Sequence, residues 1–176
     1  MKYGFLLTLI YKIKKMKNNI KEINFGEGIG ELKFGMTKDQ VSSLLGKPDE
    51  IENIPGIDEE VNDDLVSWHY DNLEISLVFD RLYDWKLVSI SGSDAFYTLH
   101  GRSVVGIPLD EFEDFFENLG IEITNSEDLS DEDNPNFYLI ESEDIGLLVW
   151  FDEGEAVEFQ ILPDVAEDGE TIMWPN

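Results

Sequence analysis

A segment beginning at Phe25, FGEGIGELKFGMTKDQVSSLL, returns 71 residues later as FYTLHGRSVVGIPLDEFEDFF, beginning at Phe96. Phe25, Gly30, Gly35, Asp39, Val41, Leu44 and Leu45 align with Phe96, Gly101, Gly106, Asp110, Phe112, Phe115 and Phe116. Further on, LEISLVFD (from Leu73) aligns with IGLLVWFD (from Ile145) at an offset of 72, and Val88 and Ile90 align with Phe159 and Ile161 at 71. Turn glycines, helical spacing and strand alternation all agree, so a repeat of two supersecondary units is the tightest constraint on the fold. The expected class is α+β: two tandem repeats, each a helical segment packed on a three- to four-stranded antiparallel sheet. The implied boundaries are a basic, poorly ordered extension over 1–21, a first repeat over 22–93, a second over 94–164 and a tail over 165–176.

Each unit opens with a helix. Thr37 and Gln40 have the spacing of a capping box, in which the hydroxyl takes an orphan amide and the glutamine side chain reaches back. Val41, Leu44 and Leu45 make its apolar face, and Gly46 and Pro48 stop it. In the second unit Pro108 suits the first turn. Leu109, Phe112, Phe115, Phe116 and Leu119 keep helical spacing up to Gly120. Aromatics at that spacing are core. The acidic stretches 49–64 and 122–136 read as loops joining helix to strand.

Strands follow by alternation. Residues 66–70 and 73–79 flank Asp71-Asn72, a two-residue hairpin turn that would set Tyr70 against Leu73, Trp68 against Ile75 and Val66 against Leu77. Those six face the helix; Ser67, His69, Glu74 and Ser76 take the other, polar face. A third strand runs near 86–91. With Glu143-Asp144 as the equivalent turn, Tyr138, Ile140, Ile145, Leu147 and Val149 face the second helix. Trp68, Leu77, Phe112, Phe116, Leu147 and Val149 are the expected core. The opposite face then carries Phe137, Leu139, Leu148 and Trp150, apolar where the first unit is polar. Two readings compete: self-burial under the tail or the other unit, and an anchor patch for a partner. Together with Trp85 and Leu87 of the first unit, these four are the candidate partner-binding residues.

Charge narrows the partner. The chain of 176 residues has 39 acidic and 12 basic residues, a net of −27. Six of the basic residues (Lys2, Lys12, Lys14, Lys15, Lys17 and Lys21) precede the first acid, Glu22, so the remainder carries −33. Such a surface repels nucleic acid and anionic membranes and attracts basic proteins. With 42% apolar residues there is still enough to build a core. The apolar run 4–11 is too short to span a bilayer and no small-residue cleavage site follows it. Residues 1–21 therefore read as an over-extended or poorly ordered start, with Met16 as a second possible initiator, rather than a targeting segment. Absence of cysteine excludes disulfides, thiolate nucleophiles and cysteine lipidation, and suits the cytoplasm.

No catalytic constellation emerges. His69 and His100 are the two histidines and occupy unlike places in the two units. No hydrolase triad, zinc-protease helix or phosphate loop can be assembled. Gly26, Gly28 and Gly30 lack the lysine of a phosphate loop and read as turn residues. Paired carboxylates are too abundant to single out a glycosidase pair. Asp128, Asp131 and Asp133 suggest calcium only superficially, without the glycine and terminal glutamate of an EF-hand. The expectation is a binding protein with no catalytic residue, metal or cofactor.

The stretch GMTKDQVSSLLGKPD, residues 35–49, resembles a signature of small outer-membrane assembly lipoproteins and of β-lactamase-inhibitor-like domains. There a Gly-Met-Thr start opens a helix that closes at Leu-Gly-x-Pro before antiparallel strands. The resemblance covers residues 25–90 well; over 96–162 the Thr and the Leu-Gly-x-Pro are lost. The β-lactamase inhibitor proteins carry two such units in tandem, and the resemblance implies a concave sheet surface that grips an enzyme. Those secreted proteins have disulfides and the lipoproteins a lipidated cysteine; this chain has neither. The combination looks more like an immunity or inhibitor protein that blocks a basic toxin or enzyme through an open sheet face. A structural, envelope-assembly interaction domain is the alternative, and a hydrolase using paired acids the third.

Overall fold

The computed structural model describes residues 19–55 and 64–175. Residues 1–18, which hold most of the basic segment and Met16, lie outside the described residues, as does Asn176. Asn19, Ile20 and Lys21 are part of the folded body. Ile20 is completely buried, and the Lys21 carbonyl accepts a hydrogen bond from the Thr98 N–H at 3.0 Å.

Short strands β1 (Ile23–Asn24), β2 (Gly28–Ile29) and β3 (Leu32–Lys33) form a small antiparallel sheet ahead of helix α1 (Lys38–Leu45). Strands β4 (Glu50–Ile54), β5 (Leu65–Tyr70), β6 (Ile75–Asp80) and β7 (Lys86–Gly92) follow. The chain then makes a hairpin of β8 (Thr98–Leu99) and β9 (Arg102–Ser103), helix α2 (Leu109–Leu119), and strands β10 (Asn125–Asp128), β11 (Phe137–Ser142), β12 (Leu147–Asp152) and β13 (Glu155–Ile161). The class is α+β. The two sets of four strands do not form separate sheets: they join through β13 and β7 into one eight-stranded antiparallel sheet ordered β10-β11-β12-β13-β7-β6-β5-β4. Each set runs in chain order from an outer edge to the middle.

The helix signals act as read. The Thr37 hydroxyl accepts from the Gln40 N–H, the Gln40 side-chain oxygen accepts from the Thr37 N–H, and Gly46 ends α1 at φ 88°. Pro108 sits one step earlier than the first turn, at the N-cap of α2, and Gly120 closes that helix in the left-handed region. Both helices lie on one face of the sheet. Trp68, Leu77, Phe112, Phe116, Leu147 and Val149 are all buried, within a single hydrophobic cluster that runs through both halves. Phe112 stacks on Phe116 at 4.2 Å and meets Phe151 of β12 edge-on at 5.2 Å, which fixes α2 to the sheet. Tyr97 links the halves: its ring meets Phe159 edge-on, and its hydroxyl donates to the Leu73 carbonyl.

Four expectations need correction. The β5–β6 connection is not a two-residue turn. Residues 71–73 make a 3-10 turn and Glu74 adopts φ 48°, so Tyr70 pairs with Ile75, Trp68 with Leu77 and Val66 with Phe79. The register moves by two residues, and because strand parity is two, every side chain keeps its face. The β11–β12 connection has the same form, with Gly146 at φ 59° and Ser142 opposite Leu147. The stretches 49–64 and 122–136 also contain β4 and β10, exposed at every position. Both are outer strands, where carboxylates and asparagine blunt a free edge, so they lack the apolar alternation of a covered strand.

The third correction concerns the last strand of each set. A β-bulge between Val78 and Phe79 on one side leaves Val88 unpaired on the other, so Leu77 pairs with Ile90 but Phe79 with Leu87. The bulge reverses the facing of everything before Val88. Leu87, expected on the open face, therefore points into the core and is fully buried. Fourth, a like bulge between Trp150 and Phe151 sets Val149 against Phe159 and Phe151 against Ala156. Phe159 thus sits as Ile90 does, 69 positions apart, not as Val88 does. The cause is loop length: five residues separate β6 from β7, two separate β12 from β13.

Candidate functional site

The helices cover one face of the sheet, so the other face is the surface available for function. Strand alternation sends to it Glu50 and Glu52 of β4, His69 of β5, Ser76 and Val78 of β6, and Ser89 and Ser91 of β7. The second half adds Glu158 and Gln160 of β13, Leu148 and Trp150 of β12, Phe137, Leu139 and Glu141 of β11, and Glu127 of β10. At the centre, Gln160 pairs with Ser91 across the β13–β7 junction and donates to the Ser89 hydroxyl at 2.8 Å.

Three regions can be distinguished. The first is a polar groove of about 530 Å³ on the β4–β6 side, lined by Glu50, Glu52, His69, Ser76, Glu74 and Glu158 among others. His69 Nδ1 is 2.8 Å from the Ser76 hydroxyl and its Nε2 lies 3.7 Å from Glu52. The imidazole neighbours Ser76 rather than Glu74, which sits in the turn. Among the described residues, no lysine or arginine pairs with Glu50 or Glu158. The Ser76 hydroxyl, the His69 ring and the Glu52 carboxylate thus stand in a row across the strands, and among the described residues no group of three or more metal-ligating side chains converges.

The second region is apolar and lies on β11 and β12. Leu139 stands opposite Trp150, with Glu127 on its other side; Trp150 has Glu158 on its far side; Leu148 stands between Glu141 and Gln160; Phe137 pairs with Asp152. Four of the residues singled out in sequence are thus brought together on one face. Phe137, Leu148 and Trp150 remain partly exposed, while Leu139 is buried between its neighbours at 8% exposure. The other two are not part of it. Leu87 lies in the core, its backbone bonded to Gly35 and Met36 just ahead of α1. Trp85 precedes β7 at φ 57° with the Lys38 ammonium of α1 3.9 Å above its ring, which places it on the helix side. A strand alternation carried through the bulge put Leu87 on the wrong face, and carried past the strand's start it did the same for Trp85.

The third region was not foreseen. The tail, residues 163–175, lies against the first half of the sheet and not the second. Val165 and Ile172 form a β-bridge that closes a small loop, and Trp174 packs edge-on against Tyr83 at 5.8 Å beneath the Lys86 ammonium. Between loop and sheet is a groove of about 540 Å³ with Leu65, Val78, Val88, Val165 and Ile172 among its lining. Val165 and the run Ile172-Met173-Trp174, apolar residues in an acidic tail, are the signal in the sequence that could have found it. Asp168 holds the loop. Its carboxylate accepts from the Thr171 N–H and hydroxyl and the Glu170 N–H, which keep it well below the ordinary aspartate range, at about 2.

Among the described residues no helix is long and apolar enough to cross a membrane. The comparisons with known proteins found no matching family model, no similar curated protein and no similar solved structure.

Proposed function

We propose that this chain is an acidic protein-binding module, an immunity or inhibitor protein that blocks a basic toxin or enzyme through the open face of its sheet. The observation that carries the reading is the unpartnered face itself: partly exposed Phe137, Leu148 and Trp150 standing among Glu127, Glu141, Asp152 and Glu158. A helix-free face that carries an apolar patch on β11 and β12 with carboxylates around it suits steering followed by desolvation. Toxins that cut nucleic acid are basic because their substrate is anionic, which makes them apt partners for a chain of net charge −27. The reading assigns no catalysis, metal or cofactor to the chain and places it in the cytoplasm.

It further treats the chain as two copies of one unit. In its favour stand the like order of elements, the like bulges, and a pairing of β13 with β7 that is symmetric about Ser91 and Gln160. In such a duplication each copy leaves the edge of its last strand unpaired, and the two edges close on each other.

The test is binding to purified basic proteins encoded beside this chain in its host. Association should slow as salt rises, because the attraction is long-ranged and screened. Trp150→Ala should leave folding unchanged and speed dissociation by roughly 30- to 700-fold, the size of a hot-spot loss. Complexes indifferent both to salt and to Trp150 would refute the assignment of this face.

A further inference from the structure

We propose that the groove between the sheet and the tail takes an apolar or aromatic side chain displayed on a basic loop of the protein partner. The proposal rests on the reading that a basic protein docks on the open face; it adds where that partner's anchor goes. The groove runs from the first half of the sheet to the β13 junction, with Val78 and Val88 on one side and Gln160 and Leu162 on the other. The β6–β7 connection of five residues brings Tyr83 up to the tail, whereas β12 and β13 are joined by the two-residue turn of Glu153 and Gly154. At the very place where the halves differ, the molecule builds a concavity.

Its walls are formed in advance. Tyr83 donates to the Glu170 carbonyl at 3.5 Å, the Ala166 N–H donates to Thr171 at 2.8 Å, and Asp168 caps the loop from within. A pocket that needs no ordering on binding loses less of its interaction free energy. Its surface is aliphatic, from Leu65, Val78, Val88 and Ile172, and Val165 in the wall stays 51% exposed with no covering partner among the described residues. The volume of about 540 Å³ is in the range that receives a bulky side chain. Glu170 is part of its lining and the chain around it carries a net charge of −27, so the flanking charge that suits it is positive. An aliphatic slot inside an acidic field fits a leucine or aromatic side chain flanked by lysine or arginine, and disfavours the same side chain flanked by acids.

The experiment uses the full chain and three synthetic peptides, capped Lys-Lys-Trp-Lys-Lys, Lys-Lys-Ala-Lys-Lys and Glu-Glu-Trp-Glu-Glu, followed by methyl and indole NMR shifts. The tryptophan peptide with lysines should move the Val78, Val88, Val165 and Ile172 methyls. Its alanine counterpart should bind at least about tenfold more weakly, and the acidic peptide should move none of them. Val165→Ser, at an exposed position, should weaken the first peptide about fivefold. Shifts confined to Trp150 and Phe137, or to the His69 groove, would overturn the anchor site while leaving docking on the acidic face intact. If no cationic peptide perturbs the open face, docking on that face fails as well.

Discussion

Replacing Phe116 by alanine tests how α2 is seated on the sheet. The ring is 1% exposed, stacked on Phe112 at 4.2 Å and met edge-on by Phe115 at 5.9 Å. Losing the burial of such a ring costs ~2–3 kcal/mol. The cavity, which a helix pinned by Phe112 and Phe151 closes only in part, adds ~1–2 kcal/mol, for a total near ~4 kcal/mol. Phe115 is next to it in sequence but only partly buried, and its truncation should cost ~1–2 kcal/mol. Phe116→Leu, a smaller change in volume, should fall between the two. With a urea slope of ~2 kcal/mol/M, the Phe116→Ala midpoint should drop by about 2 M with an unchanged slope. Circular dichroism across a urea series reads all three variants together. Equal losses for Phe115→Ala and Phe116→Ala would mean that the buried stripe of α2 is rotated, and the packing described above would be wrong.

Gly92→Ala should destabilise by ~1–3 kcal/mol in the same assay, because a Cβ there would stand 2.9 Å from Phe159 Cζ and 3.2 Å from Tyr97 Cδ2, two buried rings. Two phenols resist ionisation: Tyr70 is pushed up to about 12 by burial and then by Asp49, and Tyr97 further by burial and then by Asp94 and Glu74. A pKa raised by folding gives stability that is complete below the unfolded value near ~10 and lost as pH rises through the folded one. Alkaline unfolding should thus begin above about pH 10 and shift upward in Tyr97→Phe relative to its own neutral-pH stability. Asp168 has the opposite sign: its contribution to the tail loop is present above the ordinary aspartate range and lost as pH falls toward about 2. The Thr171 amide shift should hold to that range in the native chain, and Asp168→Asn should move it already at neutral pH.

Local chemistry left its mark in the chain plainly. The Thr37–Gln40 box, the glycines after both helices and the 3.6-residue spacing of Phe112 and Phe116 are short-range signals, and the elements they announce formed. Strand faces were legible too, because alternation survives any register error of two residues; Trp68 and Leu77 are core although their paired partners were misassigned. The bulges at Val88 and Val157 were not legible, since an extra residue in one strand is defined only by the strand beside it. Leu87 was misplaced for that reason, and Trp85 because it belongs to the left-handed turn before β7 and not to the strand. The acidic outer strands β4 and β10 were missed because their backbone pairing on a single side asks nothing apolar of their side chains. Alternation alone put Phe137, Leu139, Leu148 and Trp150 on one face. Which of them stay accessible, and that the tail settles over the other half to frame a groove with Val165 and Ile172, depended on contacts between residues far apart in the chain. Periodicity is written locally and can be read from the chain; junctions between edges and the resting place of a tail are chosen by long-range packing, which only the folded molecule decides.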